Sequence, residues 1–226
     1  MNKIILGLPE MVFWLWLSAT FYTIASVLFL SHLRKEKNEL MYAFFAFLVG
    51  MGVFHIFLGA GFYWNSHILI HIGMAAALIG SAFTLKFPFS ALINPEKPSL
   101  MRLALFYLAI TIAILTAIWL LIADHPDKIM LDLTFGYMII ATGSIAGTYV
   151  IWKGFKQEKT WAKVKSVGGG AGMVICCFIA DVLVLTQGVS VAGEILMAIA
   201  PVVLISSFYL GGYLQKKSKY IDTSRL

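Results

Sequence analysis

The chain has 226 residues, of which 60% are apolar and only 12% charged, with a mean hydropathy of +0.88, whereas an ordinary soluble domain carries about 25% charged residues. That composition excludes a soluble globular domain, and low charge, unperiodic Gly and only two Cys exclude disorder, collagen and a disulfide-stapled scaffold. An integral membrane protein remains.

A spanning helix needs roughly 20 mostly apolar residues. In chain order seven stretches qualify: Met11–Leu30, Met41–Gly61, His67–Phe87, Leu103–Ala123, Leu133–Trp152, Val167–Gln187 and Val189–Leu214. The first reads as a retained helix and not a signal peptide, because it is too long for an h-region and is followed by Arg34, Lys35 and Lys37. Runs such as Leu103–Ala123 do not alternate apolar with polar, so a β-barrel is excluded. In lipid each backbone group is satisfied within its own segment, so the runs are helices. The sequence therefore predicts an all-α, seven-helix polytopic membrane protein in one domain spanning 1–226.

Charge predicts the orientation. Of the Lys and Arg, fifteen fall in the connections on one side, from Arg34 through Lys86, Lys153 and Lys165 to Arg225, against Lys3 and Lys128 on the other. Positive charge stays inside, so the N-terminus is expected outside and the C-terminus in the cytoplasm, in a prokaryotic plasma membrane. The net charge of +6 is then a topology signal. It implies membrane lipids as partners, with anionic head groups on the basic loops, and no nucleic acid.

The chain matches itself at a shift of 122 residues. The segment from Phe13 lies over that from Phe135, pairing Ala19 with Ala141, Thr20 with Thr142, Glu36 with Glu158, Lys37 with Lys159 and Gly50 with Gly172. One more residue of shift sets His71 over Glu194 and Met74 over Met197. Repeat A is thus 11–87, a linker helix 103–123, repeat B 133–214 and a cytoplasmic tail 215–226. Three helices plus one linker return the second copy in the same orientation, so the repeat is parallel, about an axis along the membrane normal.

In architecture this three-plus-one-plus-three build resembles the SWEET sugar facilitators, which implies a transporter-like bundle. A Pro-Gln signature is missing, since Pro9, Pro88 and Pro201 precede Glu10, Phe89 and Val202, so no binding residue and no sugar is carried over. The opening LPEMVFWLWL resembles microbial rhodopsins, but Val189–Leu214 holds no Lys for a retinal Schiff base.

Ionisable groups in a membrane are costly and mark function or internal pairing. Four fall in the predicted outer half: His55, about 9 Å deep at 1.5 Å per residue, His71, Asp181 and Glu194. They form a candidate substrate-binding pocket. His55 and His71 could also flank a b-type haem among Gly50, Gly52, Gly59, Gly61 and Gly73. With His67, four residues before His71, they could instead hold Zn or Cu. The same small residues serve equally for close helix packing. Cys176 and Cys177 read as apolar packing, and Gly168–Gly172 as packing or a hinge. No nucleophile with an aligned base is visible, so a hydrolytic enzyme has no support. Three functions stay open: a small-solute facilitator or ligand-responsive bundle with an outward polar His/acid site, a haem b or metal protein for electron transfer, and a sensory receptor acting through a cytoplasmic partner. The partners implied are lipids, a small molecule or ion, and further copies of the chain.

Overall fold

The computed structural model describes residues 4–33, 39–86, 88, 100–122, 127–187 and 191–223. Almost all of them are helical. A two-stranded hairpin, β1 (Ile4–Ile5) and β2 (Leu8–Pro9), precedes the first helix and is the one departure from an all-α chain among the described residues. Leu6 and Gly7 turn it with φ of 52° and 80°, the two positive values that a tight two-residue hairpin turn requires.

Seven helices follow. These are α1 (Glu10–Leu33), α2 (Glu39–Trp64), α3 (His67–Thr84), α4 (Leu100–Ile122), α5, α6 and α7 (Val191–Thr223). The fifth is continuous through Asp127–Met138, the π-helical stretch Ile139–Gly147 and Thr148–Phe155; the sixth runs through Thr160–Val174, the π-helical stretch Ile175–Ala180 and Asp181–Gln187. Six of the seven are long and apolar enough to cross a membrane, and the described side chains of α4 form a shorter apolar stretch, Leu103–Trp119. Each element overlaps the sequence-predicted run, but α7 continues nine residues past Leu214, through much of what reads as a tail.

α1 packs on α2 and α7, α2 on α3, α3 on α5, α5 on α6, and α6 on α7, which closes a ring of six helices. α4 stands outside that ring against α3. It presents Phe106, Ala113 and Ala117 inward, a stripe at spacings of seven and four. Leu105, Leu108, Ile112, Leu115 and Trp119 are exposed around the rest of it, and such a surface belongs in hydrocarbon.

Small residues set the ring's tightness. A Cβ on Gly50 would stand 2.8 Å from the Gly80 Cα, so α2 and α3 meet backbone to backbone. Asn65, at φ 51°, ends α2 in the left-handed conformation, and the Ser66 N–H donates back to the Gly61 carbonyl at 2.8 Å, a Schellman closure. The core between the helices holds Tyr22, Phe47, Phe54, Met51, Met74, Phe135 and Met197, all fully buried.

The two ends of the bundle differ. At the end opposite the hairpin, Lys165 Nζ donates to Gln215 Oε1 at 3.0 Å, joining the start of α6 to the end of α7. Lys156 lies 3.8 Å over the Trp152 ring, and Lys165 5.2 Å over Trp161. This lysine end also carries Lys86 over Phe106.

Candidate functional site

Polar side chains of the core gather in the half nearer the hairpin and continue through the middle of the bundle. His55, on α2, is fully buried. Its Nδ1 bonds the Met51 carbonyl of its own helix at 2.7 Å, which makes Nδ1 the protonated nitrogen. Nε2, then the unprotonated nitrogen, faces Met197 Sδ on α7 at 3.3 Å. Tyr22 of α1 stacks on the imidazole with centroids 5.3 Å apart, and Phe54 meets it edge-on at 4.8 Å. Nε2 is thus directed at the methionine sulfur, and Tyr22 covers one ring face. Among the described residues no three His, Cys, Asp or Glu side chains group to hold a metal ion, so neither the haem nor the His55–His67–His71 reading gains support.

Asp181 opens the last stretch of α6, directly after the π-helical turn. It is 0% exposed and neither carboxylate oxygen has a hydrogen-bond partner. Glu194, in the first turn of α7, is 1% exposed with Oε2 likewise unpartnered. The two carboxyls are close enough to interact electrostatically, and so are Asp181 and Cys176, Cys177 and Tyr22. Ser18 of α1 donates to the Trp14 carbonyl at 2.9 Å and approaches the Glu194 carbonyl at 3.5 Å, which ties α1 to the head of α7. Burying one carboxylate without a partner already costs several kcal/mol. Two facing each other ask for a neutralising proton or cation.

Of the other expected residues, His71 is buried on α3 at 9% exposure, and His67 is exposed at the start of that helix. The structure sets His55 between Tyr22 of α1 and Met197 of α7, with Asp181 electrostatically near Tyr22 and Glu194.

Sequence reasoning missed the connecting residues. The Tyr22 hydroxyl donates to Cys176 Sγ at 2.9 Å. Cys177, the next residue, lies near Thr142. Thr142 Oγ1 lies 3.0 Å from Thr84 Oγ1, which donates to the Ser81 carbonyl at 2.6 Å. The cysteines, free and buried, belong to the apolar core as expected, and Cys176 also accepts the Tyr22 hydrogen bond. They and Thr142 lie in the two π-helical stretches, which approach so closely that a Cβ on Gly143 would stand 2.8 Å from the Cys177 carbonyl oxygen. Short π segments recur at functional sites.

Other hollows lie elsewhere among the described residues. One is a narrow apolar cleft of about 20 Å³ between α1, α2 and α7 lined by Phe29, Phe44, Leu48, Leu204 and Phe208. Another is an open surface groove of about 330 Å³ beside Trp16, Thr20, Thr23 and Ile56. Comparison of the chain with protein-family models, curated proteins and solved structures found no match in any of the three.

Proposed function

We propose that the chain is an integral membrane protein with its hairpin end outside and its lysine end in the cytoplasm. It acts as a small-solute facilitator or ligand-responsive bundle, and its ligand site is the acid cluster of Asp181 and Glu194 with Tyr22 and His55 beside it. The observation that carries this reading is the pair of buried carboxylates with three unpartnered oxygens. Groups that costly persist in a membrane helix where they serve a ligand or an ion, and their charge argues for a small cation.

The parallel repeat supports a pathway near the axis between the two halves. Exchanging α1, α2, α3 for α5, α6, α7 maps the ring of helix neighbours onto itself, and α4 stands outside it as a linker would. Equivalent contacts follow the repeat within two residues. His55 and Cys177, 122 apart, meet Tyr22 and Gly143, 121 apart; Gly50 and Gly172, 122 apart, meet the carbonyls of Ala76 and Ala200, 124 apart.

The test is thermal unfolding of the purified protein in detergent with sodium, potassium, ammonium or methylammonium chloride. A cation that binds only the folded state and is present at about 100 times its dissociation constant adds about 2.7 kcal/mol of stability. We expect at least one of these salts to raise Tm in the wild type and not in Asp181→Asn or Glu194→Gln. Shifts of equal size in both variants, or none for any cation, refute the site.

A further inference from the structure

His55 Nε2 and Met197 Sδ reach toward each other from α2 and α7 and stand 3.3 Å apart, both on fully buried side chains. The Nδ1 hydrogen is donated to the Met51 carbonyl at 2.7 Å, so in the neutral ring Nε2 carries a lone pair, and a thioether carries lone pairs alone. Neither atom offers the other a hydrogen. Two lone pairs turned toward one point in an apolar core are a donor set for a metal ion, and the spacing fits one. Metal–nitrogen and metal–sulfur bonds of about 2.0 and 2.3 Å, meeting at about 100°, place their donor atoms about 3.3 Å apart. The imidazole is also held as ligating imidazoles are, because a metal-bound His donates its other ring N–H to a carbonyl, a carboxylate or water. Here that acceptor is the Met51 carbonyl one turn back. Tyr22 stacks on the ring at 5.3 Å, and its own hydroxyl is anchored on Cys176 Sγ at 2.9 Å.

We propose that His55 Nε2 and Met197 Sδ form a binding site for a soft monovalent metal ion of the Cu(I) and Ag(I) class. The site goes beyond the acid pair proposed above and stands on different atoms. Its chemistry selects the ion: a thioether is a soft donor that favours Cu(I), whereas hard cations such as magnesium and calcium take carboxylate, carbonyl and water oxygens. Closed-shell monovalent ions of this class are content with few donors, so the site needs no third His, Cys, Asp or Glu, whereas zinc asks for a full tetrahedron. Binding forms two dative bonds, from nitrogen and from sulfur, in exchange for the ion's previous ligands. No electron is transferred. No proton leaves either, because Nε2 and Sδ carry none and Nδ1 keeps its own on Met51. The positive charge brought into the core has a counter-charge at hand in Glu194, which lies one turn nearer the hairpin end on the same face of α7 and is buried. The apolar surroundings, Phe54 edge-on to the imidazole among them, keep water from competing for the ion.

The experiment is calorimetric titration of silver nitrate, a redox-inert stand-in for Cu(I), into the full chain in detergent at neutral pH. Running it in two buffers of different protonation enthalpy counts the protons released. The wild type should bind a silver ion without releasing a proton, whereas silver taken up by Cys176 or Cys177 would displace a thiol hydrogen. Met197→Leu is a volume-conserving exchange that cores tolerate, and His55→Phe keeps a ring against Tyr22. Each should weaken the proton-free event about a hundredfold, since losing even the hydrogen-bond partner of a ligand costs ten- to a hundredfold in affinity. Cys176→Ser/Cys177→Ser should retain it, as should Met138→Leu, which alters another fully buried methionine, on α5. Unchanged affinity in Met197→Leu overturns the site. So does silver binding that releases a proton and disappears with the cysteines, or the absence of any silver binding by the wild type.

Discussion

Thr142 is the residue whose loss is most informative, because its single hydroxyl meets both the Thr84 hydroxyl and the Ser81 carbonyl of α3. Interhelical hydrogen bonds in membranes average about 0.6 kcal/mol. Tyr22→Phe, which removes one such bond, should therefore lower unfolding stability by about that amount, and Thr142→Val by about twice it. The double variant Thr84→Val/Thr142→Val should cost less than the sum of its parts, since both singles break the same bond. Denaturant unfolding in detergent micelles measures all three, and strict additivity would remove the Thr84–Thr142 bond from the account. At this scale the sequence was half legible. His55, Asp181 and Glu194 stand out in apolar runs because an ionisable side chain there has no cheap explanation. Tyr22, Cys176, Thr142 and Thr84 are residue types that any membrane helix carries, so their pairing shows only once the helices are side by side. Met197 as the neighbour of His55 Nε2 was hidden for the same reason.

Among the elements, hydropathy placed the helices because twenty apolar residues in lipid leave the backbone no other way to satisfy its groups. It could not place the π-helical stretches: a shift from the fourth to the fifth preceding carbonyl changes which faces meet, yet Ile139–Gly147 and Ile175–Ala180 carry no residue signature for it. Pro201 has a comparable effect that is legible. It supplies no N–H to the Met197 carbonyl, one turn below Glu194 and at the residue whose sulfur meets His55. The small-residue contacts give a direct test. In Gly50→Ala the new methyl stands 2.8 Å from the Gly80 backbone, with no flexible side chain to yield, whereas Gly212→Ala meets nothing within 4 Å. Overpacking should cost the first about 1–3 kcal/mol, while the second gains about 0.5–1 kcal/mol of helix propensity. Thermal unfolding of the pair should move in opposite directions. Equal shifts would mean that α2 and α3 are not in backbone contact at Gly50.

For the molecule as a whole, the exposed apolar residues of α4 and the asymmetry between the hairpin and lysine ends argue one arrangement in the bilayer. Lys153 and Lys156 near Trp152, and Lys165 near Trp161, gather positive charge and aromatic rings at one end, as residues at a membrane interface do. Tyr63, Trp64 and Asn65 mark the other. Asp181 and Glu194 lie nearer that second end, so the proposed binding site takes its direction from it. With Cys176 and Cys177 replaced by Ser, Asn65→Cys and Lys159→Cys can be challenged in intact cells with a membrane-impermeant maleimide. The account predicts that Asn65→Cys labels at once and Lys159→Cys only after permeabilisation; labelling of Lys159→Cys in intact cells, or of neither until the cells are opened, contradicts it.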